Sequence, residues 1–216
     1  MIRVGGNGLA PDGATQEGEP GWGTGRLSRA GLFSRSAAIL GALGGIAVGA
    51  TELAAASDSQ RTPAHDREIF GLALLIARLQ AAFYADALAA GHLTGEAHQF
   101  ASVVGGQEKA HVSYLTSALG SSAGKSPGFH FGNATTDPTK FLATAATLES
   151  TSLAVYNGQG VNLTPTGLAA AARIVSVEAR HAAWARALAG EIPAPVAVDV
   201  PMTVSQAKAV FRPFIA

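Results

Sequence analysis

The sequence predicts an all-α domain: an antiparallel four-helix bundle followed by a C-terminal arm with a short extra helix. Three observations carry this. Four stretches repeat apolar residues at helical intervals, the last three opened by a Thr or Asp beside Pro or Gly. Glu-x-x-His occurs twice, as Glu108 to His111 and Glu178 to His181, and on a helix that spacing stacks carboxylate and imidazole one turn apart on one face. Composition agrees: 48% of the 216 residues are hydrophobic and only 14% charged, with abundant alanine that favours closely packed helices.

The chain opens with Met1 to Gly25, rich in glycine and without periodicity, which reads as disordered. Arg26, Arg29 and Arg35 then precede the uncharged run Ala37 to Ala50 and an Ala-Ala-Ala-Ser end at Ala54 to Ser57. A basic region, an apolar core and a small-residue end predict a secretory signal over 26–56, cleaved after Ala56. The other reading is a membrane anchor, which needs about 20 apolar residues; residues 37–56 reach that length only by including Thr51 and Glu52.

After a polar linker over 57–64, the domain over 65–216 begins. A first helix is expected from His65 or Asp66, an acidic cap, with Leu72, Leu75, Ile76, Leu79 and Phe83 on its apolar face and Gly91 as its stop. Thr94-Gly95-Glu96 opens a second, carrying Phe100, Val103, Val104, Glu108, His111, Tyr114 and Leu115. Gly105-Gly106 inside it costs helix propensity, about 1 kcal/mol each, so close crossing or room beside a site is expected there. The long Gly/Ser-rich connection from Leu119 to Thr136 joins two helix pairs. Asp137-Pro138 caps the third helix, with Phe141, Leu142, Ala145, Leu148, Glu149 and Tyr156. Thr164-Pro165 caps the fourth, with Leu168, Ala172, Val175, Glu178, His181, Ala182 and Trp184. Four prolines between Pro193 and Pro213 rule out a long helix in the tail, which leaves a short one around Thr203 to Phe211, in an arm that lies against the bundle.

The two helix pairs echo each other. Glu149 is followed seven residues later by Tyr156, and Tyr156 lies 25 residues before His181; Tyr84 lies 27 before His111. Seven residues before Tyr84 stands Ala77, where the echo calls for a carboxylate. Glu108, His111, Glu149, Glu178 and His181 are therefore the expected metal ligands, directed at one centre. Tyr84 and Tyr156 are candidates to hydrogen-bond the site carboxylates, and Gln80, one turn from Ala77, to reach inward with its amide oxygen. His65, His92, His98 and His130 have no partner at ligand spacing and are assigned to surface or loops.

A helix with Glu and a helix with Glu-x-x-His, taken twice, resembles the ligand pattern of ferritin-like di-iron and di-manganese bundles. Within that superfamily, Asp66 to Leu74 and Leu79 to Tyr84 look like the first helix of bacterial and plant ferritin-like proteins related to desiccation-related proteins. The resemblance covers roughly Asp66 to Phe214. Members usually have Glu at the place of Ala77 and often another at Gln80; here the first-helix ligand is missing. The resemblance implies iron or manganese, one or two ions, with a mononuclear or empty centre also open.

Three functions follow. The first expectation is an exported ferritin-like, desiccation-related-type protein with an incomplete di-metal site and a metal-binding or stress-related structural role. The alternatives are a di-metal oxidoreductase acting on oxygen or peroxide, and a membrane-anchored accessory protein held by residues 37–56. Absence of cysteine excludes thiolate metal sites and Cys nucleophiles. Balanced charge, 15 basic and 15 acidic residues, gives no sign of a nucleic-acid partner. The partner expected is a metal ion, with a membrane involved only through residues 37–56.

Overall fold

The computed structural model describes residues 61–216; the expected disordered start, the signal and the first half of the linker lie outside the described residues. Within them the chain forms α1 (Pro63–Ala90), α2 (Gly95–Leu119), α3 (Pro138–Gly160), α4 (Pro165–Leu188) and the short α5 (Val204–Phe211). No strand occurs among the described residues, and the fold is the all-α bundle expected. Four-residue connections make α1 antiparallel to α2 and α3 antiparallel to α4. These are the two intimate pairs, and α1 against α3 and α2 against α4 close the bundle.

Helix starts follow a common chemistry. Thr62 caps α1 through its side chain, Asp137 caps α3 with two backbone N–H groups, and Thr164 caps α4, each followed by Pro at the first helical turn. The first helix thus begins two to three residues earlier than expected, because Thr62 rather than Asp66 is its cap. Asp66 is instead buried and crosses to α4, where it accepts from Thr164 N at 2.9 Å and Thr164 Oγ1 at 2.5 Å. Gly167 leaves room for that carboxylate, since a Cβ there would collide with it.

The core has two parts. One joins Phe83, Tyr84, Phe100, Phe141, Phe131 and Leu148, with Phe83 stacked on Phe141; the other gathers Ile69, Leu74, Ala77, Leu115, Tyr156 and Ile174. Two expected inward positions on α4 are corrected: Leu168 and Ala172 face solvent, while Ala171 and Ile174 are buried. Glu178 and His181 select that face, since 171, 174, 178 and 181 share one helical stripe. Val103 on α2 is likewise exposed.

The connection from Leu119 to Thr136 holds two 3₁₀ turns, Gly120–Ala123 and Gly132–Thr135, and buries Phe131 and Ala134. Phe129 bridges to Ile215 of the tail. The arm itself runs exposed over 191–200 and then docks: Met202 N donates to Ala154 O, and Ala207 and Phe211 enter the main core.

Candidate metal centre

Three of the four long helices send ionisable groups into the middle of the bundle. From α2 come Glu108 and His111, from α3 Glu149, from α4 Glu178 and His181; exposure of these five residues runs from 0% to 9%. Burying that many ionisable groups is costly unless they are paired or hold a cation. Glu108, Glu149, Glu178 and His181 offer ligand atoms that all lie within 4.8 Å of one another.

His111 joins them. Its Nδ1 lies 3.3 Å from Glu108 Oε1 and 3.1 Å from Glu178 Oε1. Nδ1 of His181 lies 3.1 Å from Glu108 Oε1 and 3.4 Å from Glu149 Oε2. One oxygen of Glu108 thus faces both imidazoles, whose ring centroids are 5.9 Å apart, so Glu108 would be the carboxylate common to both histidines in holding a cation. All five residues singled out by spacing converge on one place.

The supporting residues differ from each other. Tyr84 donates its hydroxyl to Glu149 at 2.5 Å. Tyr156 is buried and makes no hydrogen bond among the described residues. Gln80 is fully buried, and neither atom of its amide has a hydrogen-bond partner. His65 pairs with Glu68 at 3.2 Å at the far end of α1, and His92, His98 and His130 are exposed.

Gln107 had no signal in the sequence. Its Oε1 accepts from His181 Nε2 at 2.5 Å. With the amide oxygen facing the ring, Nε2 is the donor to Gln107, and Nδ1 is the nitrogen turned to Glu108 and Glu149.

Burial and mutual pairing set the charges of the centre. Burial, and then the charge of Glu108, push the Glu178 carboxyl up to about 7. Burial also raises Glu149, helped by Glu108. Burial alone would raise Glu108 as well, but hydrogen bonding to both imidazoles outweighs it and holds that carboxyl below its ordinary range. For the imidazoles burial works against the charged form, yet Glu108 with Glu178 raises His111 to about 9, and Glu108 with Glu149 raises His181 to about 10. The group therefore holds itself together with protons, which a bound metal must displace.

The donor set fits a divalent cation. Both oxygens of Glu108, Oε2 of Glu149 and of Glu178, and Nδ1 of both histidines lack an aligned hydrogen-bond partner, although the nitrogens lie within ion-pair distance of carboxylates. Carboxylate oxygen with imidazole nitrogen is a set that suits iron, manganese or zinc.

No curated protein matches this chain. The ferritin-like domain family, in contrast, matches residues 65–191, from the first turn of α1 to just beyond α4, which takes in every residue of the centre. This chain belongs to the ferritin-like domain family.

Proposed function

We propose that the protein is an exported ferritin-like protein of the desiccation-related type, binding one or two iron or manganese ions through Glu108, His111, Glu149, Glu178 and His181, in a stress-related rather than catalytic role. The observation that supports it is the buried cluster of three carboxylates and two imidazoles whose inward atoms lack partners. A bound ion supplies Lewis-acid and, for iron or manganese, redox character. The chain's own residues do the rest: Tyr84 orients Glu149, Gln107 orients His181, and the aromatic cluster beside Tyr84 shields that side from water. Ala77, where the internal echo calls for a carboxylate, disfavours the oxidoreductase reading, because a complete dinuclear centre has one more anionic ligand.

Thermal melts test the metal reading. In Mn(II) or Fe(II) at about 100 times Kd the native state gains about 2.7 kcal/mol, or a Tm rise of about 5–10 °C for a domain of this size. Chelator removes the rise, and Glu108→Gln abolishes it. Identical melts in metal and in chelator would sink the proposal. Export rests on Arg26 to Ala56: mass spectrometry of protein recovered outside the cytoplasm should find a new amino terminus near Ser57. Full-length chain in the soluble cytoplasmic fraction would count against it, and full-length chain in the membrane would favour the anchor.

A further inference from the structure

The internal echo between the helix pairs breaks at one buried point. Tyr84 in α1 corresponds to Tyr156 in α3, and Ala77 to Glu149. The Tyr84 hydroxyl donates across the bundle to Glu149; by the same relation the Tyr156 hydroxyl should donate to a carboxylate at position 77. Ala77 stands there, 3% exposed, in the same packed cluster as Tyr156. Tyr156, at 9% exposure, consequently has a hydroxyl with no hydrogen bond among the described residues.

Gln80 is the second unpartnered group. It lies one turn from Ala77 on the same face, fully buried, with both amide atoms free. Its height in the bundle follows from the crossing of α1 and α2, where Gly105 meets Tyr84. Glu108 is three residues beyond Gly105, about 4.5 Å along the axis, and Gln80 is four residues before Tyr84, about 6 Å. Because the helices are antiparallel, Gln80 and Glu108 come to nearly the same level, beside the centre.

Charge points the same way. A centre loaded with two divalent ions would carry four positive charges, of which its three carboxylates would cancel three. A buried site with one uncompensated positive charge carries a desolvation penalty that one monoanion removes.

We propose that a small carboxylate-type oxyanion, the size of formate or bicarbonate, binds beside Ala77 in the metal-loaded centre, in the place of the fourth side-chain carboxylate. Tyr156 O–H and the Gln80 amide N–H donate to it. This inference rests on the metal reading above.

The test uses the full-length chain, stripped of metal and titrated with Mn(II), free Mn(II) being followed by electron paramagnetic resonance. Titrations run in carbonate-free chloride buffer, then with formate, then with bicarbonate. One added donor pair in a buried site predicts about tenfold tighter Mn(II) binding with either anion, the larger gain naming the source. Tyr156→Phe and Gln80→Leu should each cut the gain to about twofold, and Ala77→Glu should make binding indifferent to both anions. Equal Mn(II) affinity with and without anion in the parent chain overturns the oxyanion site and leaves the metal reading standing. So does an anion gain unchanged in both Tyr156→Phe and Gln80→Leu. Failure of Mn(II) to bind under every condition overturns both.

Discussion

His181 is held at both ring nitrogens, and the two contacts were not equally visible beforehand. Glu108, three residues from His111, declares itself by spacing, because i and i+3 share a helix face. Gln107 stands one residue before Glu108, rotated by about 100°, and meets a histidine 74 residues further on only because α2 packs beside α4. No local pattern encodes that contact. Its loss should free the ring to rotate and change tautomer, so Gln107→Leu is expected to weaken metal binding by about 10–100-fold. Gln107→Glu keeps an acceptor and should retain binding. Titration with Mn(II), together with nitrogen NMR of the His181 tautomer, checks this; equal affinities for the parent and Gln107→Leu would show that Gln107 does not position the ring.

At the scale of the helix, the sequence spoke clearly through caps and stops. Thr62, Asp137 and Thr164 all cap helices, and all three precede Pro. Asp66 departs from its expected capping role because an acidic residue near a helix start has two uses: capping its own helix, or reaching another's first turn. The choice depends on tertiary packing, here on Thr164 and Gly167 of α4. Gly105 shows the opposite case, a local oddity with a tertiary cause that was expected. A Cβ at Gly105 would lie 2.8 Å from Tyr84 Cβ, so the small residue lets α1 and α2 approach where Tyr84 turns toward Glu149. Gly105→Ala gains helix propensity of about 1 kcal/mol but forces the helices apart, and overpacking of this kind costs about 1–3 kcal/mol. The expected result is a net loss of stability in denaturant titration and weaker metal binding. Gly106→Ala, whose Cβ meets nothing within 4 Å, should stabilise; a stabilised Gly105→Ala would contradict the packing account.

For the whole molecule, the bundle was legible because periodicity, caps and the repeated Glu-x-x-His all pointed to one architecture. The inward face of α4 is hard to read from the sequence at Leu168 and Ala172, since alanine at 169–172 gives no contrast between faces; Glu178 and His181 fix the stripe through Ala171 and Ile174. The arm was legible only as an arm. Prolines forbade a long helix, but docking of Ala207 and Phe211 into the main core depends on a surface built by residues far back in the chain. The central claim is that this bundle folds around a cation site. The most direct test counts metal: elemental analysis of the purified full-length chain, before and after reloading with Fe(II) or Mn(II), beside Glu108→Gln and Glu178→Gln. The account predicts between one and two ions per parent chain and a loss of at least one in each variant, whereas a parent chain that carries no metal even after reloading would contradict it.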